Sequence, residues 1–432
     1  MIKDKKFKFF YLVIVIVITA LIILSDDIYY YYSCDAQFFL GIFLVTIALG
    51  VFLYHIKSDF LNPISIYSVF WLGIAGISTF RISYYQEKWS LYMWIIIIIS
   101  YATFLLGFKI FNMKNIDIDI NNRKICRINE KKLYLSIKII TILSLIGFTL
   151  EVAILKYIPL FSKNMEAYRA FNITGIHYFV VSVGIIPTLT LLYKKIGGTK
   201  RVFLYNFISF LISILILSRQ LIIMQIVLVT ISYHYTIKKI SLKKLGIFLI
   251  IGLILFSLSF RLRNQSSQYI NKVADIMPKY QSSMFVKPLL YFNMNFTNLN
   301  IIVNKFHDYK MGQNMIFPIV AFTGLKNEFN YNYKENYLAT KNFNTSTYLA
   351  DIYFDFGIFG VIIIPFILGV IYSFLYRNMK KNLSIINLIY FLLIYCLIFC
   401  FFVNWYYNTA IIFDIILIFI IYSYSEKNSV IK

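Results

Sequence analysis

Runs of roughly 20 apolar residues, the length that crosses a hydrocarbon core about 30 Å thick, recur from residue 9 to residue 424. They fall at 9–24, 36–55, 62–80, 90–111, 133–153, 175–193, 202–217, 221–236, 245–260, 353–376, 384–402 and 409–424. That makes about twelve spans. In lipid the backbone must satisfy its own polar groups, so long apolar runs of this kind form helices. The expected fold class is all-α, a polytopic transmembrane helical bundle. Composition agrees: 60% of residues are hydrophobic and 14% charged, against about 25% charged in soluble domains. An ordinary cytosolic enzyme, a disordered chain and a disulfide scaffold are excluded.

The formal net charge is +23, from 42 Lys+Arg against 19 Asp+Glu. The charges sit between apolar runs, so anionic lipid headgroups or an anionic substrate fit better than nucleic acid. Cys34 and Cys126 are isolated, and Cys396 and Cys400 stand one helical turn apart inside an apolar run. No CxxC and no metal-ligand spacing is present, so neither a metal nor a cofactor is expected. The first run follows Lys3, Lys5, Lys6 and Lys8 without a small-residue cleavage site, and reads as a retained anchor. With the N-terminus in the cytoplasm, alternation puts short basic segments inside, at about four to one once one long outer loop is set aside. Both termini are then cytoplasmic. Trp89, Trp94, Trp405 and Tyr406 fall near the outer interface, as an aromatic belt does.

The domain plan is a bundle of nine spans over 1–260, a large outer loop over 261–350, and a bundle of three spans over 351–432. Within the loop, Ser283 to Val303 alternates apolar and polar residues and predicts an amphipathic helix lying on or dipping into the bundle. A loop this long in a compact protein is usually functional. A second outer segment, Lys156 to Thr174, is also longer than a tight turn. Pro187 and Pro365 predict kinks in the sixth and tenth spans. No internal repeat or inverted half is visible, which counts against many secondary transporters.

Ser218-Arg219-Gln220 joins two apolar runs almost without a loop. Val202 to Thr236 supplies about 52 Å of helix, and two full crossings need about 60 Å. The hairpin tip is therefore expected below the outer surface, with Arg219 facing a cavity and an anion; snorkelling to the headgroups is the structural alternative. Arg169, Arg261 and Arg263 are expected near the same membrane face, and a guanidinium fork suits phosphate. Together they suggest a diphosphate or carboxylate site at the outer leaflet.

A second cluster runs from Asn344 to Gly360. On a helix its Asp351 and Asp355 lie one turn apart on one face. They could pair with an arginine, bond sugar hydroxyls or act as a base. His307 is the only histidine of the long loop, and an imidazole with a pKa of about 6.5 suits a general base. His177 stands at the outer start of the sixth span, and Asp414 is buried in the last, with helix pairing as its expected role. Asn344, Tyr348 and the loop's aromatics suit sugars, whose CH faces stack and whose hydroxyls take hydrogen bonds.

The chain resembles the oligosaccharide repeat-unit polymerases of bacterial surface polysaccharides, the O-antigen polymerase (Wzy-type) family. The resemblance covers the general plan. Its local matches are Asn62-Pro63, Ile158-Pro159-Leu160-Phe161 followed by Arg169, Ser218-Arg219-Gln220, and Asn344-Thr345 followed by Asp355-Phe356-Gly357 and Gly360. It implies a multi-pass protein of the bacterial cytoplasmic membrane, with a bundle similar to glycosyltransferases of the GT-C kind. The implied reaction is transfer of a glycan from undecaprenyl diphosphate to a hydroxyl of another lipid-linked repeat unit, making O-antigen or capsule. Arg169, Arg219, Arg261 and Arg263 would hold the diphosphate. His307, Asp351 or Asp355 would do the acid–base work, and Asn344 and Tyr348 would bind sugar. Membrane lipids and a chain-length regulator are the further partners implied. The rival functions are an O-antigen ligase, which shares plan and chemistry, and a flippase or transporter of the same lipid-linked unit, which should show a two-halved plan. A membrane O-acyltransferase would need a membrane-embedded histidine constellation, and none stands out.

Overall fold

The structure is a computed structural model that describes residues 33–56, 58–111, 124–162, 167–241, 243–244, 246, 267–281 and 286–430. The expected first span and, apart from residue 246, the ninth lie outside these residues, as do Arg261 and Arg263. In chain order the main elements are α1 (Ser33–His55), α2 (Leu91–Lys109), β1 (Lys124–Ile128), α3 (Glu130–Leu155), α4 (Ile186–Lys195), α5 (Phe203–Leu215), α6 (Arg219–Thr236), α7 (Val286–Lys305), α8 (Tyr348–Lys381), β2 (Asn382–Leu383), α9 (Asn387–Ile398), α10 (Thr409–Ser425) and β3 (Glu426–Val430). Side-chain caps start several of them: Ser90 accepts the Met93 N–H at 3.1 Å, and Asn129 accepts the Lys132 N–H at 3.1 Å.

About 74% of the chain is helical. Five helical stretches among the described residues are long and apolar enough to cross a membrane: Ala36–His55, Leu91–Lys109, Glu130–Leu155, Ile176–Lys195 and Tyr348–Lys381. The protein is thus a multi-pass membrane protein. Shorter apolar helices stand at Pro63–Ser78, Asn387–Ile398 and Thr409–Ser425. The expected third span is one of these, split by a π-helical stretch at Ser68–Gly73. The sixth is interrupted by a 3₁₀ stretch at Ser182–Ile185, directly before the helix that carries Pro187, where a kink was expected. In α8 the kink is not at Pro365. The residue with non-helical angles is Gly357, at φ 57° and ψ −141°.

The chain divides into two compact units. The first contains Met1–Asn115, Ser267–Phe374 and Cys396–Tyr407. In it α2 and the middle of α8 meet through glycine. A Cβ on Gly107 would stand 2.0 Å from the Phe366 carbonyl oxygen, and one on Gly369 would stand 2.2 Å from that of Phe104. Small residues let helix backbones approach this closely where no hydrophobic force joins helices. Trp71 is fully buried and donates to Ser100 Oγ at 3.1 Å. Trp89 and Trp405 are also buried.

The amphipathic helix expected at Ser283–Val303 is α7, and it is built into the first unit. Asn293, Asn295, Asn298 and Asn300 are all buried on it. Buried amides need partners, and here the partners are loops. Asn293 donates to the Phe80 carbonyl at 2.7 Å, and Asn300 accepts the Ser90 N–H at 3.2 Å. Asn298 donates to the carbonyls of Phe343 and Thr345, both at 2.8 Å, and accepts the Ala339 N–H at 2.8 Å.

The second unit contains Ile116–Ser266, Leu375–Tyr395 and Asn408–Lys432. Ile176–Lys195 runs through its interior, with 78% of its most apolar window buried. A small sheet of order β2-β1-β3 departs from the all-α expectation. β1 pairs parallel with β2 and antiparallel with β3. Glu426 anchors it by accepting from Ser384 Oγ at 2.7 Å and from the Ile385 N–H at 2.8 Å. Burial, with the Glu426 charge adding, pushes the Cys126 thiol up to about 11, so this cysteine stays protonated and unreactive.

Candidate functional site

The loop between α7 and α8 is folded against the start of α8, in the first unit. The break at Gly357 leaves carbonyls at the end of the first helical piece open to outside donors. Lys310 N–H takes the Phe354 carbonyl at 2.8 Å, and Met311 N–H takes that of Asp355 at 3.0 Å. The Asp355 side chain completes the attachment. Its Oδ1 accepts the Asn314 N–H at 2.9 Å and Asn314 Nδ2 at 2.7 Å, while Oδ2 accepts the Met315 N–H at 2.8 Å. Asp355 has no exposed surface. A carboxylate that accepts this many N–H bonds is a strong fastener, and both of its oxygens are occupied by residues 314 and 315.

Aromatic rings pack around this joint. Phe306 meets Phe354 edge-on with centroids 4.6 Å apart, and Tyr337 likewise at 5.3 Å. Asn314 Nδ2 also donates to the Tyr333 hydroxyl at 2.8 Å. Burial holds the Tyr333 hydroxyl well above the usual tyrosine range; the Asn314 bond pulls the other way, and the Asp351 and Asp355 charges add to the rise. Tyr333 is therefore a neutral hydrogen-bonding group at any physiological pH. Asp351, one turn before Asp355, is partly exposed and takes Lys334 Nζ at 2.6 Å.

The other expected residues of this unit differ in placement. His307 is exposed, and no described residue bonds it. Asn344 is exposed between Phe343 and Thr345, whose carbonyls Asn298 grips, so its amide is presented on a fixed backbone. Tyr348 is buried, with its hydroxyl 2.6 Å from that of Tyr67. Lys334 and Asn314 were not anticipated. Lys334 stands among six residues with no period, and Asn314 resembles any loop amide.

Gly357 makes the whole joint possible. Its backbone lies in a region that residues with a Cβ rarely enter, and a Cβ there would come 2.6 Å from Cζ of Tyr309. Gly357→Ala is expected to cost about 1–3 kcal/mol in backbone strain alone, and to displace Tyr309 as well. Limited proteolysis of the membrane-inserted variant should cut between residues 306 and 317 faster than in the parent chain. An unchanged cleavage rate would contradict this account of the joint.

Arg169 and Arg219 belong to the second unit. Arg219 is the first residue of α6, half-buried, and follows a three-residue turn from α5. The turn is tight: Leu217 has a positive φ of 57°, and Ser218 Oγ caps the helix by accepting the Leu221 N–H at 3.3 Å. The helices have 13 and 18 residues, or about 20 and 27 Å, together short of two full crossings of a core about 30 Å thick. The two helices and the tight turn fall where the sequence expects a hairpin. Arg169 is exposed on a short helix, Ala167–Ala170, with Nε donating to the Tyr168 hydroxyl at 3.0 Å. Among the described residues no cluster of His, Cys, Asp and Glu could hold a metal ion.

The family profile described as "Putative O-antigen polymerase" matches residues 8–400 of the 432-residue chain. No curated protein and no solved structure matches.

Proposed function

The chain belongs to the O-antigen polymerase family, and on that premise we propose that it joins undecaprenyl-diphosphate-linked oligosaccharide repeat units by glycosyl transfer. The reaction takes place at the outer face of the cytoplasmic membrane and builds O-antigen or capsular polysaccharide. An acceptor hydroxyl attacks the anomeric carbon of the donor sugar, and the polyprenyl diphosphate departs with the bonding electron pair. The single observation that carries the reading is the family match over residues 8–400.

Each residue is assigned the role that its chemistry suits. Arg219, together with Arg169, binds the diphosphate and stabilises the charge that develops on it as the bond breaks. The fastened loop between α7 and α8 covers the sugars and excludes water, since hydrolysis is the competing reaction. Asp355 holds this loop in place by its bonds to Asn314 and Met315. Asp351 and Lys334 form a partly exposed ion pair that can exchange its partner for sugar hydroxyls. Asn344 offers its amide to the same ligand.

The test is the purified full chain in lipid vesicles, supplied with lipid-linked repeat units extracted from a host that lacks it. Products of two, three and more units on one lipid are expected. Vesicles that leave the single unit unchanged would contradict polymerase activity.

A further inference from the structure

The second unit contains a buried carboxylate that none of these roles uses. Glu151 lies near the end of α3 within an apolar stretch, with no exposed surface. Its Oε1 accepts the Ile173 N–H at 3.0 Å. His177 Nδ1 lies 3.0 Å from Oε1 and 3.1 Å from Oε2. An ionised carboxylate only accepts, so it fixes a proton on Nδ1, and in the neutral ring that tautomer leaves the lone pair on Nε2. The His177 side chain is 23% exposed. Among the described residues nothing bonds Nε2.

The rest of this helix contact is stitched by neutral groups. One turn below Glu151, Gly147 lets Val180 and Ile176 approach; a Cβ there would meet them at 3.0 and 3.5 Å. One turn lower, Ser144 Oγ donates to the Phe179 carbonyl at 2.7 Å. A buried carboxylate costs several kcal/mol unless it is paired, and here its partner is the partly exposed imidazole of His177. A carboxylate behind Nδ1 is the arrangement that fixes the tautomer of a general base and stabilises the imidazolium it becomes. The segment between α3 and His177 also carries Arg169. That segment is anchored by Phe171, buried against Phe148 and Tyr157, and by the Tyr157 hydroxyl donating to the Ala167 carbonyl at 3.0 Å. By contrast, His307 is exposed, and no described residue orients its ring.

We propose that His177 is the general base of the polymerisation, with Glu151 as its positioning residue; this rests on the glycosyl transfer proposed above. The acceptor hydroxyl gives its proton to Nε2 as its oxygen bonds to the anomeric carbon. The bond from that carbon to the diphosphate oxygen breaks, and the diphosphate leaves with the electron pair. The imidazolium, held beside Glu151, returns its proton to water before the next transfer.

The test uses the full chain in the same vesicles, with the wild-type rate as the first control. If the wild-type chain makes no polymer, the glycosyl-transfer reading itself fails, before any variant is compared. With wild-type activity in hand, His177→Gln keeps a donor toward Glu151 and lacks a base. Its kcat should fall by about a hundredfold or more, with KM for the lipid-linked unit and the thermal unfolding midpoint unchanged. Added imidazole should restore part of the rate to His177→Ala, which a purely structural role would not permit. Glu151→Gln still accepts the Ile173 amide and should lower kcat without changing KM. A His177→Gln chain that keeps a rate within threefold of wild type, or that loses activity together with its folded yield, overturns the assignment.

Discussion

Asp355→Asn should abolish polymer formation while leaving the chain in the membrane. The carboxylate accepts from Asn314 N, Asn314 Nδ2 and Met315 N. An amide of the same shape can keep its oxygen toward Asn314, but its NH₂ then faces the Met315 N–H. One buried donor is left without an acceptor, at about 1–3 kcal/mol, and the surviving bonds lose their charge assistance. The helix around Asp355 has other support, because its neighbours Phe354 and Ile352 are buried. The loss therefore falls on residues 310–316. Hydrogen exchange should show the amides of Lys310, Met311, Asn314 and Met315 opening at least tenfold faster, with α8 beyond Gly357 unchanged. Protected loop amides together with wild-type polymer would remove Asp355 from the account.

Arg219→Ala is expected to stop polymerisation with normal insertion and yield. A cation at the first position of a helix opposes the helix dipole, at about 0.3–1 kcal/mol. Its removal relieves that opposition, and a membrane blot separates a loss of activity from a loss of protein. Loss of a donor to charge that develops in the transition state costs about a hundredfold or more. Arg219→Lys keeps the charge and loses the paired N–H donors of the fork, so it should fall between the two. The readout is chain length in vesicles, beside a membrane blot for the amount of protein. Wild-type polymer from Arg219→Ala would remove this arginine from diphosphate binding.

What could be read from the sequence followed hydropathy and chain length. The apolar runs marked helices because a continuous apolar stretch of about 20 residues satisfies its own backbone in lipid as a helix, whereas barrel strands are shorter and alternate. The hairpin at Ser218–Arg219 was legible because two apolar runs meet there with almost no residues between them; the Ser218 cap came only with the structure. The helix over Ser283–Val303 was visible in its period. Its role was not, because the bonds of Asn293 and Asn298 go to carbonyls of Phe80, Phe343 and Thr345, distant in sequence and without a side-chain signature. The kink in α8 was expected at Pro365 by the usual rule, and it lies at Gly357, where loop carbonyl–amide bonds take over from the helix.

The small sheet was invisible for another reason. β1, β2 and β3 are five, two and five residues long and come from distant segments, too short to show a period. Glu151 did leave a signal: an acid inside an apolar run demands a partner. Only the structure shows that the partner is His177, 26 residues on. Asp355 was singled out for the same reason, and there the partners are loop amides.

The central claim is that this chain lengthens a surface glycan, and deletion of its gene tests that most directly, with surface polysaccharide from the host run on a gel. The account predicts that the ladder of many repeat lengths collapses to a band of one repeat, because single units are still made, moved outward and attached. It also predicts that the wild-type gene restores the ladder and that the Arg219→Ala gene does not. An unchanged ladder in the deletion strain would contradict polymerase function, as would loss of all surface glycan with lipid-linked material left behind.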